Sequence, residues 1–236
     1  GPLINAHVGD TLVVRLHNEL DEPTTIHWHG LRVPASMDGA LAEQEPVPPG
    51  GSFEYRFELL DQGTFWYHPH VNEPRQLELG LYGAIVVHGA DEPLADSTRL
   101  FVLDDLKLGS DGQIAPAGGF GEIHSGRQGP LLLVNGRAGA EIEVLAGTTE
   151  RWRIVNAASA RYMRLALPGH RFTIVGTDRG FLPAPRDAAE LFLVPGDRVD
   201  VIIHADEAPG SVATLVALPV DRGHGAHFVH HVGHGV

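Results

Sequence analysis

Four histidines in two short motifs, His27-Trp28-His29-Gly30 and His68-Pro69-His70, are the side chains of this sequence best suited to chemistry. Imidazole is the commonest protein ligand for zinc, copper, iron and nickel, and pairs at i and i+2 form an array of donors rather than isolated polar groups. In a strand, residues i and i+2 project from one face. His27 and His29 are therefore predicted to point one way, and His68 and His70 likewise, so that two adjacent strands offer four nitrogens to one space. The chain contains no cysteine, which excludes disulfides and thiolate ligation. Imidazole by itself leaves the choice among the four metals open.

The segments around the motifs read as strands. Thr25-Ile26 precedes the first and Gly63-Thr64-Phe65-Trp66-Tyr67 the second, β-branched or aromatic runs bounded by turn residues. Pro69 cannot donate to a ladder, which places the second motif at an edge or an irregular strand end. Phe53, Tyr55, Phe57 and Leu59 alternate with polar residues, as in a strand with one buried and one wet face. Short runs of the same kind recur at 12–16, 84–87, 151–155, 172–175 and 199–203, with turn signals at Pro48-Pro49-Gly50-Gly51, Asn135-Gly136 and Pro195-Gly196-Asp197. No long helical period competes, so an all-β, antiparallel sandwich is expected.

Two matches suggest a duplication. Gly9 to Asn18 and Gly147 to Asn156 share the pattern G-x-T-x-x-x-R-[LI]-x-N. Pro49-Gly50 before Phe53–Phe57 then corresponds, in the same order, to Pro195-Gly196 before Val199–Ile203. The expected division is residues 1–90, 98–220 and a His-rich segment at 221–236, with a linker at Asp91–Ser97. The second copy has Arg161-Tyr162-Met163-Arg164-Leu165 where the first has its histidines, and Trp152 and Met163 read as core.

Composition narrows the partners. The 236 residues are 43% hydrophobic, enough for a substantial core, and no apolar run approaches the ~18 residues of a membrane span. A net charge of −13 disfavours nucleic acid and anionic membranes. The start at Gly1-Pro2, without a signal-peptide pattern, reads as a processed product or a fragment.

The run Thr25-Ile26-His27-Trp28-His29-Gly30-Leu31, Asp38-Gly39, Pro49-Gly50, Gly63–His70, and Gln76 before Gly80-Leu81-Tyr82-Gly83 resembles the first domain of a multicopper oxidase of the bacterial laccase, copper-efflux and bilirubin-oxidase branch. Leu132-Leu133-Val134-Asn135-Gly136, Asp178–Pro183 and Pro195-Gly196-Asp197-Arg198 resemble its second domain. The resemblance implies two tandem cupredoxin-like Greek-key β-sandwiches and a copper cofactor. It implies His27 as a ligand of the type 2 copper and His29, His68 and His70 as ligands of the type 3 pair, a partial ligand set. Asp38 matches an acidic residue that aids proton delivery during dioxygen reduction; read locally, it is also a turn Asp before Gly39. A third, C-terminal cupredoxin domain with His-Cys-His, bearing the type 1 copper, is then expected to be missing from this chain as the rest of a three-domain enzyme. The implied reductants are phenols, aromatic amines or a metal ion, and the implied setting is periplasmic or secreted.

His224, His227, His230, His231 and His234 fall in a Gly-rich tract that reads as a linker, an accessory copper segment or, more boldly, replacement ligands. His7, His17, His88, His124, His170 and His204 stand singly, with no ligand spacing. Two function classes remain at this level: an oxidase component with little or no activity by itself, and a non-catalytic copper-binding cupredoxin for storage or structure. Asp38 favours the oxidase, because a storage site has no evident need of a proton-delivering carboxylate.

Overall fold

Frequent turn residues cut the apolar alternation into short segments, and each segment folds as a strand. The computed structural model describes residues 1–115, 118, 120–178 and 180–222. Ahead of residue 90 lie β1 (Ile4–His7), β2 (Thr11–His17), β3 (His27–His29), β4 (Ser52–Glu58), β5 (Gly63–His68) and β6 (Gly83–His88). After it come β7 (Ser97–Leu106), β8 (Leu131–Val134), β9 (Thr149–Asn156), β10 (Met163–Ala166) and β11 (Phe172–Thr177). The last four are β12 (Gly180–Ala188), β13 (Glu190–Leu193), β14 (Arg198–His204) and β15 (Val216–Leu218). Among the described residues, helices are limited to α1 (Glu73–Glu78), α2 (Phe120–Ser125) and a single 3-10 turn at Ala35–Met37. No helix of the described residues is long and apolar enough to cross a membrane.

A four-stranded sheet ordered β1-β6-β5-β3 faces the β2-β4 pair. Between them Trp28, Tyr55, Phe57, Phe65, Ile85 and Val87 form one core, lined by Leu12, Val14, Leu16 and Phe53 from the alternating faces of β2 and β4. A six-stranded sheet, β12-β11-β14-β9-β7-β8, packs on the three strands β13-β10-β15. Trp152 and Met163 sit in that second core, beside Phe101, Ile154, Phe172 and Val201, as their sequence context implies. One feature differs from the purely antiparallel expectation: β1 runs parallel to β6, and β7 parallel to β9. Single-strand patterning cannot reveal direction, since both ladders show the same period of two.

The repeated motifs occupy matching places. Asn18 accepts from the Leu20 N–H and donates Nδ2 to the carbonyls of Glu22 and Val47. Asn156 accepts from Ala158 N–H and donates to the carbonyls of Arg161 and Leu193. The Pro-Gly turns close on them alike, Gly50 N on Asn18 O and Gly196 N on Asn156 O, both at 2.8 Å. Cross-strand partners also correspond, Arg15 with Glu54 and Arg153 with Asp200. The first pair is exposed, whereas the second is buried where β5 of the first sandwich lies against β9 and β14.

At that seam Trp66 and Leu77 pack against Val155 and Ala157. Thr64 donates to Asp200 at 2.6 Å and accepts from Arg153 at 3.0 Å. Glu92, in the expected linker, binds Arg151 at 2.7 Å and Arg153 at 2.8 Å. The His-rich stretch with His224, His227, His230, His231 and His234 lies outside the described residues.

Candidate metal centre

β3 is the edge strand beside β5, with His27 opposite His68 and His29 opposite Trp66. Alternation separates its three side chains. Trp28 turns into the core, edge-to-face on Tyr55 and Phe57 with ring centroids 5.3 Å away in each case, while His27 and His29 share the other face. The second motif departs from the same-face expectation. β5 ends at His68, Pro69 stops the ladder, and His70 lies beyond the strand, where its ring stacks on that of His27 at 4.2 Å. The proline thus bends the chain to bring His70 over a histidine of the other strand.

Donor atoms of His27, His68 and His70 all lie within 4.8 Å of one another, the one such cluster among the described residues. His29 joins through His68, its Nδ1 lying 3.2 Å from His68 Nε2. Two nitrogens bound to one tetrahedral ion at roughly 2.0 Å would be about 3.3 Å apart, so this spacing suits a shared cation. The outward ring nitrogens are tied down. His68 Nδ1 donates to Pro69 O at 3.0 Å, which leaves Nε2 as the lone-pair donor. His27 Nδ1 sits 3.1 Å from Asp38 O and 2.9 Å from Asp38 Oδ1. The carbonyl takes the aligned hydrogen bond, and Oδ1 remains buried without a hydrogen-bond partner.

Short loops fix both motifs. Asp38 follows the 3-10 turn, and Gly39 at φ 68° lets that loop pass close to Ile26. The Thr25 hydroxyl accepts from His70 N–H at 3.2 Å. Thr24 bonds the fully buried Gln76 of α1 at 2.7 Å, and Gln76 Nε2 donates to Pro23 O at 3.0 Å. Glu73, on the same helix, reaches to 3.4 Å of His68 Nδ1. Trp66 forms the floor, stacked on His68 at 4.2 Å and beside His29 at 5.0 Å.

Burial pushes His29 down to about 3, with Arg198 and the other histidines adding to it. His68 is lowered to about 4, again chiefly by burial, against the opposing bond to Pro69. His70 is lowered too, by burial and then His27. These rings are therefore neutral at pH 7, the form in which imidazole binds a metal. The donor set is all nitrogen, with an unpartnered carboxylate oxygen beside it, and it fits a borderline ion such as copper. Of the single histidines, His17 bonds Ser52, His88 bonds Glu92 and His170 bonds Pro168 O. The supporting roles of Thr25, Trp66, Glu73 and the Gly196–Arg198 turn escape sequence reasoning, which reads Thr25 and Trp66 as strand residues and Pro195-Gly196-Asp197 as a turn.

Cupredoxin-type sandwiches carrying a histidine cluster able to hold a metal are the class that this fold and site define. Family models described as multicopper oxidase match residues 1–92 and 66–231. The multicopper oxidase MmcO of Mycobacterium tuberculosis is 35% identical across 92% of this chain and 48% of its own length. Laccase-1 of Cryptococcus neoformans is 34% identical, over 88% of this chain and 37% of the laccase. Among solved structures, a multi-copper oxidase from Pseudomonas thermotolerans superposes with a TM-score of 0.85 at 37% identity, covering 91% of this chain and 53% of that one. The Campylobacter jejuni multicopper oxidase, a metallo-oxidase, gives 0.84 at 37% identity, covering 94% and 47%. The chain belongs to the multicopper oxidase family, whose cofactor is copper, and it spans about half or less of the length of these relatives.

Proposed function

We propose that His27, His29, His68 and His70 supply half of a trinuclear copper centre in a laccase-like oxidase. His27 serves the type 2 position and the other three the type 3 pair. The observation that carries this reading is the convergence of four imidazoles from two strand ends, with two ring nitrogens 3.2 Å apart. Bound copper would take up electrons one at a time from a phenol, an aromatic amine or a low-valent metal ion and deliver them to dioxygen, giving water. Asp38 orients His27 and offers Oδ1 as a proton-holding atom beside the centre. The remaining ligands and the type 1 site come, on this reading, from a cupredoxin domain with His-Cys-His, since no thiol is available in these residues. The sandwiches are assigned to residues 1–90 and 98–220, a division supported by sheets that share no strand across Asp91–Ser97. A periplasmic or secreted setting goes with the same reading.

Copper titration of the 236-residue chain and of His27→Ala, His29→Ala, His68→Ala and His70→Ala tests it. Each substitution is expected to lower copper affinity, and the copper-loaded chain is expected to show no intense blue band and little phenol oxidation. Dioxygen consumption is expected once a docked His-Cys-His domain is supplied. Unchanged copper binding in all four variants would overturn the ligand assignment.

A further inference from the structure

The two Pro-Gly turns of the repeat are equivalent in backbone but not in surroundings. In the first copy Gly50 (φ 73°) has nothing within 4 Å of where a Cβ would stand, and the corresponding later position is the exposed Ser52. In the second copy a Cβ on Gly196 (φ 90°) would stand 2.9 Å from His29 Cε1 and 3.3 Å from His29 Nε2. The turn therefore backs directly onto the Cε1–Nε2 side of the ring, next to the Nδ1 that faces His68. In the place of Ser52 stands Arg198, whose side chain is only 4% exposed.

Arg198 is held on several sides. Nε donates to Thr64 O at 3.2 Å, Nη1 to Gly196 O at 3.1 Å and Nη2 to Asp178 O at 2.9 Å. The guanidinium pairs with Asp178 Oδ1 at 2.9 Å and lies over the Phe65 ring, against Gly30, the residue after His29. One side chain thus ties the Gly196 turn to β5 and to the end of β3. Lysine cannot reproduce this, because a single ammonium lacks the planar fork of donors.

The geometry points to Gly196 and Arg198 as positioning residues that fix the ring of His29 from the second sandwich, which has no histidine pair of its own. This rests on the reading of His29 as a ligand. The second copy has become a brace for the site on the first, by closing the space against the Cε1–Nε2 side of a ring whose Nδ1 faces His68. Outer residues that orient a ligand commonly change metal affinity by about 10- to 100-fold when altered.

The test uses the 236-residue chain, metal-free and copper-titrated, with ring nitrogen and carbon NMR shifts of His29 as the first readout. Gly196→Ala is compared with Gly147→Ala, which imposes similar backbone strain (φ 80°) with no neighbour within 4 Å. Arg198→Lys keeps the charge, and Arg198→Met keeps only bulk. Expected are displaced His29 ring signals in Gly196→Ala and Arg198→Met, about 10-fold or greater loss of copper affinity, partial recovery in Arg198→Lys, and wild-type behaviour in Gly147→Ala. Folded Gly196→Ala and Arg198→Lys proteins with unmoved His29 signals would overturn the inference. So would unfolding of both beside an intact Gly147→Ala protein, since the turn would then serve the fold and not the ring. If His29→Ala leaves copper affinity unchanged, the ligand reading fails, while the metal-free ring signals still decide whether the turn positions His29.

Discussion

A buried imidazole serves a metal only when it is neutral, and the cluster enforces that state at the cost of acid stability. His29 and His68 have folded values near 3 and 4 against an ordinary 6.5, mainly through burial. Between those limits the unfolded chain binds protons that the folded chain refuses. Their contribution is therefore fully present above about pH 6.5 and is lost as pH falls toward 4 and 3. Asp104 acts in the opposite sense: burial raises it to about 6 from 3.8, so its ionisation lowers stability as pH climbs through that range. Burial raises Glu73, Asp105 and Asp197 as well, whereas His70 and the paired carboxylates of Glu22, Glu54, Glu92, Asp96 and Glu122 shift down and act in the histidines' sense, so the expected sign is that of His29 and His68. The melting temperature of metal-free protein is expected to rise from pH 4 to pH 7, and His29→Gln should flatten the rise. A wild-type melting temperature that stays level or falls over that interval would contradict the burial of neutral rings.

Two short strand ends and one helical turn do the placing, and Gln76 joins them. Its amide is the common partner of Thr24 and Pro23, and the adjacent Thr25 holds His70. Gln76→Leu fills similar space but leaves the Thr24 hydroxyl and the Pro23 carbonyl without that partner, a loss of about 1–3 kcal/mol for buried groups. Urea unfolding should show a lower midpoint with an unchanged slope, and copper affinity should fall because both motifs are loosened. A midpoint equal to wild type would show that the helix is held by packing alone. This is also where the sequence stopped being informative. His27 and His29 share a face because β3 obeys the period of two, and the alternation of Phe53, Tyr55 and Phe57 reads directly as β4. His70 meets His27 only because Pro69 ends β5 and the chain turns, and no periodicity encodes a turn angle. Arg198 reaches the site across 134 residues to Thr64, through the docking of two sandwiches that local pattern does not describe.

The molecule as a whole depends on a compact set of charges where the sandwiches meet. Arg151 and Arg153 are almost fully buried between Asp200, from β14, and Glu92, from the connection between the sandwiches. The formal charges cancel, and Thr64 of β5 bonds both Asp200 and Arg153, so the network spans all three parts of the chain. In the first copy the equivalent pair, Arg15 with Glu54, is exposed to solvent, where such a pair is worth little. Burial changes the consequence of breaking it, because a desolvated cation left without its anion costs far more than a lost surface contact. Asp200→Ala leaves two guanidiniums sharing one carboxylate and is expected to destabilise the protein by roughly 3–5 kcal/mol. Glu54→Ala, its counterpart in the repeat, is expected to cost about 1 kcal/mol or less. Chemical denaturation of the two variants compares them directly, and scanning calorimetry should show a broadened or split transition for Asp200→Ala as the sandwiches unfold less cooperatively. Equal effects from the two substitutions would mean that this seam does not bind the sandwiches together. The Gly196–Arg198 brace beside His29 would then need another source of rigidity, because it leads into the same strand, β14, and is held in place by the same docking.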